Sequence, residues 1–168
     1  MSVSVDHKVK ALSWNDITKS VDTICDNILK SDITFDSILG LSRGGLVPAV
    51  MIANQLGVSE VYSYGLRSYS NRTGGEIRTY QYCGPDDVCG EHLLIVDDIS
   101  DRGESLGYVK NKLLAKTLTQ PEKNIHTCTI CKKDHTDFEP TWIGMSVEND
   151  EWVIFPWEAD DIKPSNTT

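Results

Sequence analysis

Positive charge is scarce in this sequence. Of 168 residues, 16 are lysine or arginine against 25 acidic ones, a formal charge of −9. Such a chain has no basic face to neutralise a phosphate backbone, which argues against a general nucleic-acid binder. Long apolar runs are also missing: none approaches the ~20 residues needed to cross a bilayer. The N-terminal MSVSVDHKVK is polar and lacks the apolar core of an export signal, so neither membrane nor secretion is expected. The five cysteines, Cys25, Cys83, Cys89, Cys128 and Cys131, are odd in number and scattered. They build no disulfide framework, and a reducing cytoplasm is the expected setting. Cys128 and Cys131 are spaced like half a zinc site but have no second pair, and His7, His92, His126 and His135 show no ligand spacing. Internal repeats, low-complexity tracts and linkers are absent.

What remains is enough for one domain with a sizeable core. In SWNDITKSVDTICDNILK, residues 13–30, apolar groups at Trp14, Ile17, Val21, Ile24, Ile28 and Leu29 recur at helical spacing. Ser13 followed by Asp16 resembles a helix-start box. Residues 37–41 read as a short strand, followed by a glycine turn and a helix ending near Gly57, which is the βα unit of an α/β fold. A strand at 58–64 and another at about 77–83 flank a polar, glycine-bearing stretch that reads as a mobile loop over about 65–79. A strand at 92–96, a helix from Glu104 to about Leu118, a strand at 125–131 and a last apolar run, EWVIFPWE, complete the chain.

The segment LLIVDDISDRGESL, residues 93–106, ends a buried strand on two adjacent carboxylates. In parallel α/β sheets, ligands bind beyond the carboxyl ends of strands, where loops lead into helix N-termini. Backbone N–H groups over residues 101–105 would form an anion site there. Carboxylates beside a phosphate need hydroxyls or a cation, and a sugar phosphate with Mg²⁺ supplies both. On these residues alone an exposed turn with a helix cap reads equally well. A phospho-acceptor signalling domain is disfavoured, because its acidic pair belongs at the first strand.

VDDISDRGES resembles the signature of the type I phosphoribosyltransferases, which move a ribose phosphate from phosphoribosyl diphosphate (PRPP) to a nitrogen nucleophile. The resemblance implies that Asp97 and Asp98 contact the ribose hydroxyls and Mg²⁺. It also implies that Asp101 lies near the base, and that Gly103 and Ser105 sit in the 5′-phosphate loop. Arg102 stands where the family usually has Thr and offers a guanidinium to the phosphate, while Glu104 has to point outward. LSRGGLVPA is similar to the diphosphate turn of the 6-oxopurine branch, particularly the xanthine–guanine enzymes. It assigns Ser42, Arg43, Gly44 and Gly45 to PRPP and implies a cis peptide at Ser42–Arg43. LRSYSNRTGGEIR resembles a closing hood loop, with Ser68 and Tyr69 over the reacting groups and Arg67, Arg72 and Arg78 supplying local positive charge.

The C-terminal part, TICKKD and then EWVIFPWE, resembles the base-binding end of the same enzymes. Lys133, with Lys132 as the alternative, would donate to the purine O6. Trp152 would stack on the ring, and the Val153 carbonyl and Glu158 would meet the N1/C2 edge, with Trp157 packed behind. The resemblance implies a fold with a parallel-sheet, Rossmann-like core, helices on both faces, and a small hood built from the N- and C-terminal segments. It implies a Mg²⁺-dependent purine salvage transferase acting on PRPP and guanine, xanthine or hypoxanthine, with Asp101, Arg43 and Tyr69 as catalytic residues and a homodimer or homotetramer as the assembly. The alternative is a non-catalytic regulator of the same fold that binds PRPP or a nucleotide.

Overall fold

The structure is a computed structural model and describes residues 8–69, 76–84, 87–88, 90–116 and 124–161. Its elements in chain order are β1 (Lys8–Ala11), α1 (Trp14–Lys30), β2 (Ser37–Ser42), α2 (Leu46–Leu56), β3 (Glu60–Tyr69), β4 (Glu76–Gln81), β5 (His92–Ser100), α3 (Glu104–Lys116), β6 (Asn124–Lys133), β7 (Trp142–Val147) and β8 (Glu151–Ile154), closed by a 3₁₀ turn, Pro156–Asp161. The main sheet has the order β4-β3-β2-β5-β6-β7. It is parallel except for the antiparallel β3–β4 pair.

Side chains of the central strands alternate between two cores. Ile38, Leu94, Val96, Cys128 and Ile130 face α1 and α2. Leu39, Leu41, Leu93, Ile95 and Ile125 face Leu106, Val109 and Leu113 of α3. Strands buried on both faces read as continuous apolar runs, as ILGL and LLIV do here. The helices therefore cover both faces of the sheet, as expected.

α1 starts where the sequence places it. Ser13 Oγ accepts from the Asp16 N–H at 3.2 Å, and Asp16 Oδ2 accepts from the Ser13 N–H at 2.9 Å, which closes the capping box. Of the apolar positions, Ile17, Val21, Ile24 and Ile28 are buried, but Trp14 and Leu29 stay exposed. Leu29 lies about 100° around the axis from Ile28, beyond the width of the stripe. Truncating Ile24, which is fully buried against the sheet, to alanine is expected to cost about 2–5 kcal/mol in a urea unfolding series.

Two strands escape the sequence reading. β1, KVKA, alternates polar and apolar over only four residues and buries none of them, and β7 has only half-buried apolar residues over most of its length. β1 forms a separate two-stranded parallel sheet with β8, pairing Lys8 with Glu151 and Ala11 with Ile154. Glu151 is buried and takes Lys8 at 3.4 Å and Lys10 at 3.2 Å. The chain's N- and C-terminal parts thus join through a charged seam, which apolar periodicity does not report.

β3 runs to Tyr69 and pairs with β4 from Gly65↔Gln81 to Tyr69↔Glu76. The described part of the stretch expected to be a loose loop is therefore a β-ribbon. Arg72 lies outside the described residues, as do the side chains of Ser68 and Tyr69.

Candidate active site

The sheet sets the location. The chain passes from β2 outward to β3, then returns to β5 on the other side and continues to β6 and β7. The switch point is the gap between β2 and β5, where open parallel sheets bind ligands. The β2–β5 ladder ends at Gly40↔Val96, and beyond it the two strands part. The Ser42-Arg43-Gly44-Gly45 turn leaves β2 there, whereas β5 does not stop at Val96 as the sequence suggests but carries Asp97 and Asp98 on to Ser100, still paired with β6.

A cavity of about 440 Å³ fills this gap. Ser42, Arg43 and Gly44 line one wall, Asp97, Asp98 and Asp101 another, and Arg102, Gly103, Glu104 and Ser105 a third. The cis peptide expected at Ser42–Arg43 is present. Gly103 has φ +75°, in the left-handed region where glycine carries no side-chain penalty. A Cβ added at Gly44 would lie 1.6 Å from Asp98 Oδ2. One added at Gly45 would lie 2.4 Å from the Val96 carbonyl. The double glycine is what lets the turn nest directly on the acidic strand end. Glu104, expected to point outward, is exposed yet belongs to the cavity lining.

The acidic pair is electrostatically loaded. Burial and the neighbouring Asp98 charge raise the Asp97 carboxyl well above the usual carboxylate range. Burial also pushes Asp98 up to about 6, with Glu158 adding to the rise and the Ile99 N–H opposing it. Asp97 Oδ1 accepts from the Asp98 N–H at 3.0 Å and Asp98 Oδ1 accepts from the Ile99 N–H at 2.8 Å, so both groups are fixed in direction. Two clamped carboxylates in one small space suit a hard cation. Among the described residues no group of three or more metal-ligating side chains forms. The protein thus offers two carboxylates beside a cavity, a pair of hard oxygen donors that could hold a Mg²⁺.

Two further cavities meet the first at Arg43. One, of about 400 Å³, is lined by Arg43, Gly44, Trp157 and Glu158. The other, of about 450 Å³, is lined by Ser42, Arg43, Leu66, Arg67 and Tyr80. Arg67 lies 5.4 Å above the Tyr80 ring and pairs in register with Arg78 across the ribbon. Trp157, expected behind the site, packs against the core and also forms part of a cavity wall. It stacks on Phe155 at 4.8 Å and is tilted against Trp14 at 5.9 Å, and it shares a cavity lining with Arg43.

Register settles which lysine faces the acidic loop. Successive residues of β6 point to opposite faces. Lys133 is buried and its Nζ lies 3.4 Å from Asp101 Oδ2, whereas Lys132 leaves to pair with Glu139. Asp101 has a second partner: His135 Nε2 stands 2.6 Å from Oδ1. His135 was not legible as a site residue, because it lies in the turn that follows β6, where strand periodicity no longer assigns a face. Trp152 and Val153 lie on β8 and are not among the residues lining the three cavities; Trp152 is 60% exposed.

Comparison with known proteins then decides the family. The phosphoribosyl transferase domain profile matches residues 12–161. The chain belongs to the phosphoribosyltransferase family. A xanthine-guanine phosphoribosyltransferase of Chromohalobacter salexigens is 28% identical over 158 residues, covering 94% of this chain and 89% of that protein. A purine phosphoribosyltransferase from Pyrococcus horikoshii superposes with a TM-score of 0.74 at 24% identity, over 95% of this chain and 99% of the other. A Neisseria gonorrhoeae protein solved with bound ppGpp superposes at 0.75 with 21% identity, over 93% and 92%. These last two likenesses concern the shared fold. The family's sheet, with helices on both faces, is the one described above. Among the described residues no helix is long and apolar enough to cross a membrane.

Proposed function

We propose that the protein transfers a 5-phosphoribosyl group from PRPP to a 6-oxopurine, releasing diphosphate and forming the nucleoside monophosphate. The observation that carries this reading is the single cavity in which the acidic pair, the Ser42–Gly45 turn and the 101–105 loop face one another. The ribose hydroxyls meet Asp97 and Asp98, and the 5′-phosphate takes the backbone N–H groups at the start of α3 together with Arg102. Arg43 and Arg67, which line one cavity, offer charge-assisted donors to the departing diphosphate. Asp97 and Asp98 would also hold Mg²⁺, which when bound offsets the negative charge of the diphosphate.

Bond making joins a purine nitrogen to C1′ as the C1′–oxygen bond breaks and its electron pair leaves with the diphosphate. The base is oriented by an adjacent donor and acceptor: Lys133 Nζ and Asp101 Oδ2 stand 3.4 Å apart. That spacing suits a purine O6, which accepts, beside an N7–H, which donates. Asp101 takes the proton that the base loses. Trp152 is the proposed stacking platform, with Val153 and Glu158 toward the N1/C2 edge. Ser68 and Tyr69 are proposed to close over the reacting groups and exclude water. A homodimer or homotetramer is the proposed assembly.

The test is a substrate panel with PRPP and Mg²⁺, following diphosphate release. Guanine, xanthine and hypoxanthine are expected to turn over, and adenine at least about 10²-fold less well, because Lys133 has no lone pair to accept from an exocyclic amine. If the protein bound PRPP but released no diphosphate with any base, the non-catalytic, nucleotide-binding reading would replace this one.

A further inference from the structure

Asp101 is gripped from both sides, and the two grips differ in kind. Lys133 reaches Oδ2 at 3.4 Å on a flexible four-carbon chain, and in the proposed reaction one of its N–H donors must turn to the base. His135 reaches Oδ1 at 2.6 Å through a ring with two torsions on an anchored backbone. The His135 N–H donates to Asn149 Oδ1 at 3.1 Å. Beyond it, the Asp137 N–H donates to the Arg102 carbonyl at 3.3 Å, and Thr136 Oγ1 lies 3.0 Å from Ser100 Oγ. Phe138 packs so closely on Gly103 that a Cβ there would stand 2.3 Å from it. Residues 135–138 therefore run beside the 100–103 loop as a brace, and His135 is its contact at the reacting end.

We infer that His135 is a positioning residue: its Nε2–H holds the Asp101 carboxylate aimed at the purine while Lys133 engages the base. This inference rests on the function proposed above. Asp101 is about half exposed, so without a fixed donor its carboxylate samples several rotamers, and a displacement near 1 Å at a proton acceptor is costly. As the base nitrogen bonds C1′ and diphosphate departs with the bonding pair, the proton on the base passes to Asp101. His135 keeps its own N–H throughout. Both the Nε2–H tautomer and the imidazolium supply that donor, so the role requires no change of charge.

The experiment compares His135→Ala, His135→Gln and Asp101→Asn singly, and His135→Ala combined with Asp101→Asn. His135→Ala is expected to lower kcat about 5-fold to 20-fold, modest because the pair is partly exposed, with the KM for PRPP within about 2-fold of wild type. His135→Gln, whose amide places an N–H near the same point, is expected to restore most of the loss. In the Asp101→Asn background His135→Ala should add nothing, since it acts through Asp101. Independently of turnover, the His135 ring N–H resonance in a long-range ¹H–¹⁵N spectrum should shift in Asp101→Asn. The inference is overturned by a kcat unchanged in His135→Ala, by the same loss in the Asp101→Asn background, by a Gln variant no better than Ala, or by an unmoved ring resonance. Absence of wild-type turnover with every base overturns the proposed function itself, and this role with it.

Discussion

Asp98→Asn is expected to abolish most turnover and, in the same molecule, to raise the thermal midpoint of the ligand-free protein at about pH 8. Removing one preorganised charged group from such a site costs about 10²–10³-fold, here in kcat/KM for PRPP. The stability gain follows from the raised carboxyl. Asp98 sits near 6 in the fold because burial disfavours its charge, against about 3.9 in an unfolded chain. A carboxyl raised by folding favours the fold while it is protonated. That contribution is fully present below about pH 3.9 and is lost as pH climbs through 6. Asp97, also raised and chiefly by burial, extends the same trend. Asparagine removes the charge and keeps the shape. The difference in midpoint between the variant and wild type should therefore be small near pH 4.5 and grow by roughly 2–4 °C per kcal/mol relieved toward pH 8. Differential scanning calorimetry across that range measures it. A variant equally or less stable at pH 8 would show that the pair carries no electrostatic load in the fold.

Gly44→Ala is expected to be strongly damaging for a single added methyl. The new Cβ would fall 1.6 Å from Asp98 Oδ2 and 2.4 Å from its Cγ. The carboxylate cannot easily swing away, because its Oδ1 is held by the Ile99 N–H at 2.8 Å. Either the turn lifts from the strand end or the carboxylate leaves its place, and misplacement of that size costs about 10²-fold in rate. The far-ultraviolet circular dichroism should be unchanged, since Gly44 precedes α2 and lies outside the ladder. Gly57→Ala supplies the contrast. Its φ of +71° is unfavourable to alanine, but nothing lies within 4 Å of the added carbon. It should lower stability by about 1 kcal/mol and leave PRPP turnover alone. If Gly44→Ala kept wild-type kinetics, the tight seating of the Ser42–Gly45 turn on the acidic pair would have no functional meaning.

The two predictions share a physical reason. The site sits where two parallel strands stop pairing, and the groups brought together there are incompatible with one another in the absence of a ligand. Two carboxylates lie side by side, and a third, Glu158, raises Asp98 further. Arg67 and Arg78 face each other across the ribbon. In the proposed reaction, a cation brought in with the substrate would relieve the repulsion between the carboxylates.

Local chemistry made much of this readable. The capping box of α1, the glycine that ends α2, and the apolar runs of β2 and β5 each depend on neighbours within about four residues, and each forms where its residues say it should. The acidic pair and the Ser-Arg-Gly-Gly turn were also legible, because glycine spacing and strand ends express backbone geometry directly. β1 was not legible, since its seam with β8 is made by Lys8, Lys10 and Glu151 across some 140 residues. The choice between Lys132 and Lys133 depended on which face of β6 meets the acidic loop, and a one-residue uncertainty in a strand inverts every side chain.

By itself, then, the sequence determined the α/β class, the strand–turn–helix units, and the glycine turn after β2, because those features arise from contacts within a few residues. Tertiary structure alone decided that Arg43 stands at the meeting of three cavities, that Trp157 turns inward while Trp152 stays exposed, and that His135 completes the grip on Asp101. Those outcomes depend on sheet register and on segments meeting after dozens of residues, where no local preference specifies the partner.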